Sequence, residues 1–242
     1  MHEPAAEFRA TRWSLVYQAA QSTQPERAAA ALAELYRCYH YPLYVFARDG
    51  GRRSAEDAGD LVQDFFVRVM EKNVLGAADP TRGRFRSFLL GAFKNLILTQ
   101  WRDEHRRKRG GRVAHVPLDP ESAESRYAVE SLADTAASPD ETYDIHWARA
   151  LVDGVLARLM AECSAVEFAA LSPHVTGTRG EVPLSETAAA LVLSEAAAKS
   201  RIHRFRQLWA RLIRQEVART VQNETEVDEE LRHLLACLRR RS

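Results

Sequence analysis

One segment, residues 57–72, constrains the fold more than any other. Its apolar side chains recur at intervals of three and four residues, and these are Leu61, Val62, Phe65, Phe66, Val69 and Met70. The spacing predicts an α-helix with one wide apolar side and a mostly acidic opposite side. Taken alone, such a helix is most often a core helix whose acidic side faces water. The order of its residues and the segments around it point to a second role.

The rest of the chain is also predicted to be helical. Its 242 residues suit one large domain or two small ones. Alanine-rich runs favour helix, and no long alternating run of β-branched residues indicates a strand. We therefore predict an all-α protein, with two small helical domains joined by a flexible acidic linker. The predicted parts are an N-terminal extension (1–26), a first domain (27–112), the linker (113–138), a second domain (139–220) and a helical tail (221–242).

Local signals mark several helix boundaries. A short helical pattern covers residues 11–20, and a long helix is predicted for residues 27–48. Ser54 and Asp57 form a capping-box pattern. Ser138 is the predicted cap of a later helix, with Pro139 at its first position and acidic residues in its first turn. The tail is predicted to be a short amphipathic helix that either caps the second domain or binds another protein.

Charge is distributed unevenly along the chain. The formal net charge is only +1. Residues 94–112 nevertheless carry seven basic side chains against two acidic ones, and residues 199–219 carry seven against one. Between these segments, residues 117–144 contain eight acidic side chains and one arginine. Basic clusters on helices neutralise phosphates and release counterions, so the two basic segments are candidates for nucleic-acid contacts.

A helix-turn-helix is predicted near residues 184–206. A short helix over 184–191, with Ser185 as its predicted cap, is followed by a two-residue turn and a second helix capped by Ser194. Helices joined by so short a turn cross steeply, and the second helix of such a pair can enter the major groove of DNA. The side chains predicted to face DNA are Ser194, Lys199, Ser200, His203 and Arg204. The alternative is an ordinary helical hairpin with an arginine-rich outer side.

Three motifs, in this order, resemble those of a known family. Asp-x-x-Asp-Leu-Val-Gln-Asp-x-Phe begins at Asp57, and Gly-Arg-Phe-Arg-Ser-Phe-Leu-Leu-x-x-Phe-Lys-Asn begins at Gly83. The third, Ser-Glu-x-x-Ala-Lys-Ser-Arg-Ile-His-Arg-Phe-Arg, begins at Ser194. Together they resemble bacterial RNA polymerase sigma factors of the sigma-70 family, in particular the extracytoplasmic-function (ECF) class. Members usually have Trp at the position of Phe88 and Asp at that of Gln100.

The resemblance implies three sets of contacts. Core RNA polymerase would be bound by the first helix, through Asp57, Asp60, Gln63, Asp64, Arg68 and Glu71. The melted −10 element of the promoter would be bound by Arg82, Arg84, Arg86, Lys94, Asn95, Thr99, Arg102 and Arg106. The −35 duplex would be read by the helix-turn-helix residues given above. The resemblance also allows an anti-sigma protein as a partner.

Other functions are predicted less strongly. A helix-turn-helix regulator that acts without polymerase is the main alternative, although it has no need of the acidic helix. The common nucleotide-binding, zinc-protease and paired-cysteine motifs are absent, so we expect no catalytic residues, cofactor or metal site. Cys38, Cys163 and Cys237 are scattered and are interpreted as buried apolar residues in a reducing compartment. With no leader or long apolar run, and so no membrane segment, the protein is expected to be cytoplasmic.

Overall fold

The prediction of an all-α fold is confirmed. The computed structural model describes residues 24–51, 53–71, 79, 83–106, 120–131, 137–177, 182–221 and 223–239, and their regular elements are all helices. The helices are α1 (Pro25–Gly51), α2 (Ala55–Glu71), α3 (Phe85–Arg106), α4 (Pro120–Ser131), α5 (Pro139–Ala161), α6 (Ala165–Leu171), α7 (Pro173–Thr176), α8 (Leu184–Ala190), α9 (Glu195–Ala218) and α10 (Val227–Arg239). The helical pattern predicted for residues 11–20 lies outside the described residues.

The capping box predicted at Ser54 and the cap predicted at Ser138 are both formed. The Asp57 backbone N–H donates to Ser54 Oγ at 3.1 Å, and Ser54 Oγ donates to Asp57 Oδ2 at 2.7 Å. At the start of α5, the Glu141 N–H donates to Ser138 Oγ at 3.3 Å, and the Ser138 N–H donates to the Glu141 carboxylate at 2.9 Å. These bonds satisfy amides that have no partner within the helix, so the caps fix where α2 and α5 begin.

The described residues form two compact units. The first unit contains the described residues up to Ala148 and from Ala218 onward, and the second contains Arg149–Val217. These limits differ from the predicted domains, which placed residues 139–220 together and left the tail apart. The difference arises because Asp144 of α5 and Glu230 of α10 both pair with Arg86 of α3.

Helices α1, α2 and α3 build the core of the first unit with aromatic side chains. The rings of Tyr39 and Phe85 pack edge to face at 5.4 Å, and those of Phe65 and Phe93 at 5.2 Å. Phe85 and Phe93 are fully buried. The apolar stripe predicted for the segment 57–72 therefore faces this core. Edge-to-face aromatic pairs add directional packing to the burial of apolar area.

The predicted flexible linker contains a docked helix. Within residues 113–138, α4 packs against α1 through polar contacts. Glu124 accepts hydrogen bonds from Arg48 Nη2 at 2.9 Å and from the Tyr44 hydroxyl. Tyr127 donates to Asp49 at 2.6 Å. The prediction of flexibility therefore needs correction for residues 120–131, because composition does not show that these polar side chains find partners on α1.

The C-terminal helix belongs to the first unit. Its buried side chains are Val227, Glu230, Leu234 and Cys237, which recur at helical spacing. The two roles predicted for the tail, capping the second domain or binding another protein, did not include this packing. The sequence shows that α10 is amphipathic, but not which part of the chain its apolar side meets.

The second unit holds α6 to α9, including the helix-turn-helix. One predicted cap is wrong: Ser185 does not cap α8, which begins one residue earlier with Pro183 at the cap position and no side-chain cap. The cap of α9 is as predicted, since the Ala197 N–H donates to Ser194 Oγ at 3.3 Å. None of the helices in the described ranges has the length and continuous apolarity needed to cross a membrane.

Candidate nucleic-acid and protein interfaces

The acidic side of α2 is open to solvent near its start. Asp57 and Asp60 are exposed, and Gln63 is partly exposed. Beside them lies an open depression of about 490 Å³, to which α2 contributes Glu56, Asp60 and Gln63 and α4 contributes Glu124. The lining is rich in carboxylates, so the depression suits a basic side chain from a partner.

Asp64 is tied into the fold more closely than the other acids of α2. Arg68 Nε donates to its carboxylate at 2.9 Å, and Gln100 Nε2 donates to the same oxygen at 2.8 Å. Gln100 therefore joins α3 to α2. The two predicted polymerase contacts Asp64 and Arg68 are each other's partners, and only part of each side chain is exposed.

The middle of α3 presents a polar strip. Asn95, Thr99 and Arg102 are exposed and lie at intervals of four and three residues, so they share one side of the helix. Lys94 Nζ lies 2.6 Å from the Asp140 carboxylate of α5 and 5.4 Å from the centre of the Phe46 ring. Three predicted contacts fall outside the described side chains: Glu71, Arg82 and Arg106.

The two arginines at the start of α3 are covered by the C-terminal helix. Arg86 is only 5% exposed, and its guanidinium pairs with Asp144 at 3.0 Å and with Glu230. Arg84 Nη2 lies 3.2 Å from Glu229, and its Nε lies 2.7 Å from Glu230 Oε2. Both were predicted to bind the −10 strand. Arg86 has no open path to DNA in this structure, which corrects that prediction for the conformation described.

The Arg86 site continues into a buried network. The guanidinium lies over the ring of Trp147, 4.5 Å from its centre, and the Arg86 carbonyl accepts from the Tyr143 hydroxyl at 3.2 Å. Asp144 uses its second carboxylate oxygen to hold His233 of α10 at 3.2 Å. A planar guanidinium that stacks on a ring and meets two carboxylates is well suited to burial, because each of its donors can be satisfied.

Protonation in this network favours the docked arrangement. The hydrogen bond from His233 to Asp144, supported by one with Cys237, raises the pKa of His233 to about 9. Burial alone would raise the pKa of Asp144, but its bonds with His233 and Arg86 prevail and lower it. For Glu230 the balance is reversed, because burial raises its pKa although Arg86 and Arg84 oppose the shift. His233 is therefore a cation near neutral pH, opposite the Asp144 carboxylate.

The turn of the helix-turn-helix is tight and strained. It runs from Leu191 to Ser194, and its backbone N–H groups bond back to α8, as in the 2.9 Å bond from Leu193 to the Ala188 carbonyl. Val192 has a φ of 54° and is 90% exposed. A β-branched residue rarely adopts this left-handed conformation. The turn therefore joins two closely spaced helices through a strained backbone conformation at Val192.

The first turns of α9 separate into a buried and an exposed side. Ile202, Phe205 and Leu212 are buried. The five residues predicted to face DNA are all exposed, and they are Ser194, Lys199, Ser200, His203 and Arg204. The Ser200 hydroxyl donates to the Ala196 carbonyl within its own helix at 3.1 Å. These exposed side chains lie at the N-terminal end of α9, where the helix dipole is positive.

Two other arginines of α9 have structural partners. Arg201 pairs with Glu167 of α6, and Arg206 Nε donates to the His174 carbonyl at 3.2 Å. The His174 ring in turn lies 2.8 Å from the Thr187 hydroxyl of α8. These contacts fix α9 against the rest of the unit, so a basic residue in this segment is not by itself a candidate DNA contact.

Sequence reasoning missed the acidic partners of the arginines. None of the charged side chains around the predicted −10 residues Arg84 and Arg86 was singled out. They are the acids Asp144, Glu229 and Glu230 and the neighbouring His233. One signal was present: Glu230 occupies a position of the apolar stripe of α10, between Val227 and Leu234. A carboxylate at such a position needs a buried cation as its partner.

Comparison with known proteins supports one family. Residues 35–107, which span α2, α3 and most of α1, match the family model for sigma-70 region 2. Neither the curated proteins nor the solved structures gave a match. The region 2 match supports a sigma-70 family RNA polymerase sigma factor, and it indicates a role in promoter recognition and transcription initiation. Core RNA polymerase and promoter DNA are the partners it implies.

Proposed function

We propose that the chain is an alternative sigma factor of the ECF type. It binds core RNA polymerase, recognises the −35 and −10 promoter elements and starts transcription. The observation that carries the proposal is the region 2 match over residues 35–107. The helix-turn-helix of the second unit lies C-terminal to it, in the order that promoter binding through two DNA elements needs. The sigma family is non-enzymatic, and we assign the chain no catalytic step.

The polymerase contact is assigned to the start of α2. Asp57, Asp60 and Gln63 project from one helix beside the depression that Glu124 also lines. Carboxylates in such a setting attract basic side chains across a protein interface and increase the association rate. Asp64 and Arg68 have a supporting role in this proposal, since they bind each other and Gln100.

DNA contacts are assigned to two separate surfaces. The exposed residues of α9, from Ser194 to Arg204, take the −35 duplex, with their first turns in the major groove. Asn95, Thr99 and Arg102 on α3 take the −10 strand, where polar and basic groups follow a single-stranded backbone. Phe85 is fully buried in the core, so its role is packing rather than base stacking.

The test is co-elution with sigma-free core RNA polymerase in gel filtration at about 0.15 M salt, where charges beyond about 8 Å are screened. We expect a stable complex. Asp60→Lys should weaken it at least about tenfold, because it places a cation opposite basic partner groups. Glu162→Lys makes the same charge change on an exposed residue outside region 2, and it should bind as the wild type does.

Two results would contradict the proposal. Separation of the wild-type protein from polymerase, with elution as a dimer, would favour a helix-turn-helix regulator that acts alone. Equal binding by Asp60→Lys and wild type would refute the assignment of the α2 contact, although the sigma function itself would stand. Circular dichroism of each variant shows whether the fold is retained.

A further inference from the structure

Two carboxylates of α10 contact Arg84 and Arg86, at the start of α3, as a bound anion would. Glu230 is fully buried and lies between Arg84 and Arg86, while Glu229 meets Arg84 from the more exposed side. Guanidinium groups bind carboxylate and phosphate with the same fork of N–H donors. A site that holds two carboxylates in this way has the chemistry to hold the phosphates of a nucleic-acid strand.

Arg84 adjoins the strip that is exposed on α3. It directly precedes the helix, and at about 3.6 residues per turn its spacing places it on the same side as Asn95, Thr99 and Arg102. Arg86 lies on the opposite side, about 180° from Asn95. A single strand that runs along the strip toward the start of α3 would therefore reach Arg84. In the described structure it would meet Glu229 and Glu230 instead, whose negative charge repels phosphate.

The contact between α10 and the arginines is not fully satisfied. Glu230 Oε2 is within ion-pair distance of Arg84 Nε, but the two groups are not aligned as a hydrogen bond, and this buried oxygen has no other partner. A buried polar atom without a hydrogen bond destabilises the state that contains it. The ion pair between Arg84 and Glu230 is therefore weaker than an aligned pair of the same groups would be.

The position of α10 in the chain allows it to leave as a unit. It is the last described helix, and a short 3-10 turn, Glu224–Glu226, precedes it. Its hold on the first unit consists of side chains: the apolar residues Val227, Leu234 and Cys237 and the charged residues Glu230 and His233. Its release need not break the helices α1 to α3, which have their own aromatic core.

We propose that α10 is an intramolecular competitor of single-stranded DNA for Arg84. In the free protein, Glu229 and Glu230 both contact Arg84 and keep nucleic acid from the start of α3. When the phosphates of a melted promoter strand reach this surface, they replace the carboxylates and α10 is displaced. This inference rests on the proposed function, because it takes the α3 surface as the one that meets the −10 strand.

The first test compares two pairs of substitutions in the full-length protein. Glu229→Gln with Glu230→Gln removes the charges that meet the arginines. Glu224→Gln with Glu226→Gln removes the same charge from the 3-10 turn, where Glu226 bonds to Asn223 instead. The readout is fluorescence anisotropy with a labelled, mixed-sequence single strand of about 20 nucleotides, longer than the site size of a typical single-strand domain.

We expect the first pair to bind the strand about fivefold tighter than the control pair, at the lower end of the usual range for coupled sites. Adding Arg84→Ala to the first pair should abolish most of this gain. Equal affinities of the two pairs would overturn the proposal. So would a gain that persists without Arg84, because the charge removed would then act on DNA from elsewhere.

The second test needs no substitution, so it decides the matter even if the Glu230 variant fails to fold. Hydrogen exchange is followed in the wild-type protein with and without the same single strand. We expect amides of Val227–Arg239 to exchange faster when the strand is bound, since displacement exposes them, while those of Phe65–Val69 in α2 stay protected. Unchanged or slower exchange in α10 with the strand bound would refute the competition.

Co-elution with core polymerase separates the two levels of failure. If the protein binds polymerase but α10 is not displaced and the glutamine pair has no effect, the competition is wrong and the sigma function stands. If no variant binds the strand, the competition is also wrong. If the protein also fails to bind polymerase, the proposed sigma function is refuted too.

Discussion

Single residues in this protein take roles that their type does not reveal. Arg84, Arg86, Arg201 and Arg204 all lie in arginine-rich helical segments. Arg86 is buried against Trp147 and two carboxylates, and Arg201 is paired with Glu167, while Arg204 is exposed. The partner, rather than the residue type, decides whether a basic side chain is structural or free to meet DNA.

Val192 provides a test at the residue scale. Substitution Val192→Asn should stabilise the second unit by about 1 kcal/mol, because Asn tolerates the left-handed backbone conformation that costs a side-chain-bearing residue about 1–2 kcal/mol. Val166→Asn, the same change at an exposed helical position, should alter stability by less than about 0.5 kcal/mol. Chemical denaturation measures both, and destabilisation by Val192→Asn would show that the turn is not strained.

His233 predicts a pH dependence. Its pKa of about 9 lies above its usual value, so its contribution is fully present below about pH 6.5 and is lost as the pH rises through 9. The side chain is 31% exposed, so after allowance for solvent screening we expect the first unit to lose about 1–2 kcal/mol over this range.

Unfolding of the His233→Gln variant should show a flatter profile between pH 6.5 and 9, as measured by denaturation at several pH values. His203→Gln changes an exposed histidine of the second unit and should keep the wild-type profile. A wild-type stability that rises with pH across this window would contradict the predicted sign.

At the scale of elements, helices that share a periodicity have different partners. The segment 57–72 and the tail 227–239 are both amphipathic. The first could be placed in a core from its aromatic content, but the second could not be placed at all, because an apolar stripe does not identify the surface that covers it. The docked helix α4 is a similar case, since Glu124 and Tyr127 find their partners about eighty residues earlier in the chain.

Adjacent leucines on α10 test the importance of its docking. Leu234 is 1% exposed and Leu235 is 47% exposed. We expect Leu234→Ala to destabilise the first unit by about 2–4 kcal/mol, as for other buried leucines, since it leaves a cavity against the core. Leu235→Ala should cost less than about 0.5 kcal/mol. Hydrogen exchange of α3 amides measures both, and equal small effects would mean that α10 adds little to the unit.

At the scale of the whole molecule, a net charge of +1 hides opposite local charges. A net charge this small gives the protein as a whole little attraction for DNA, so the proposed contact with duplex DNA depends on the exposed cations of α9. Removal of two phosphate contacts with Lys199→Ala and Arg204→Ala should reduce the salt slope of duplex binding by about 1.8, since each contact contributes about 0.9.

The matched control for this prediction removes two exposed arginines outside α9, with the substitutions Arg37→Ala and Arg239→Ala. It makes the same change in net charge and should leave the slope near that of the wild type. Binding of a mixed-sequence duplex at several salt concentrations gives the slopes. Equal slopes for the two pairs would favour an ordinary solvated surface on α9.

The sequence by itself determined the helical fold, most helix boundaries and the exposed side of α9. These features depend on local spacing and capping, as at Ser54, Ser138 and Ser194, and local geometry can be read from adjacent residues. Only the tertiary structure decided that the tail belongs to the first unit and that Arg84 and Arg86 are covered. Glu230 lies 144 residues from Arg86 in the chain. Their pairing depends on packing between distant helices, which periodicity does not encode.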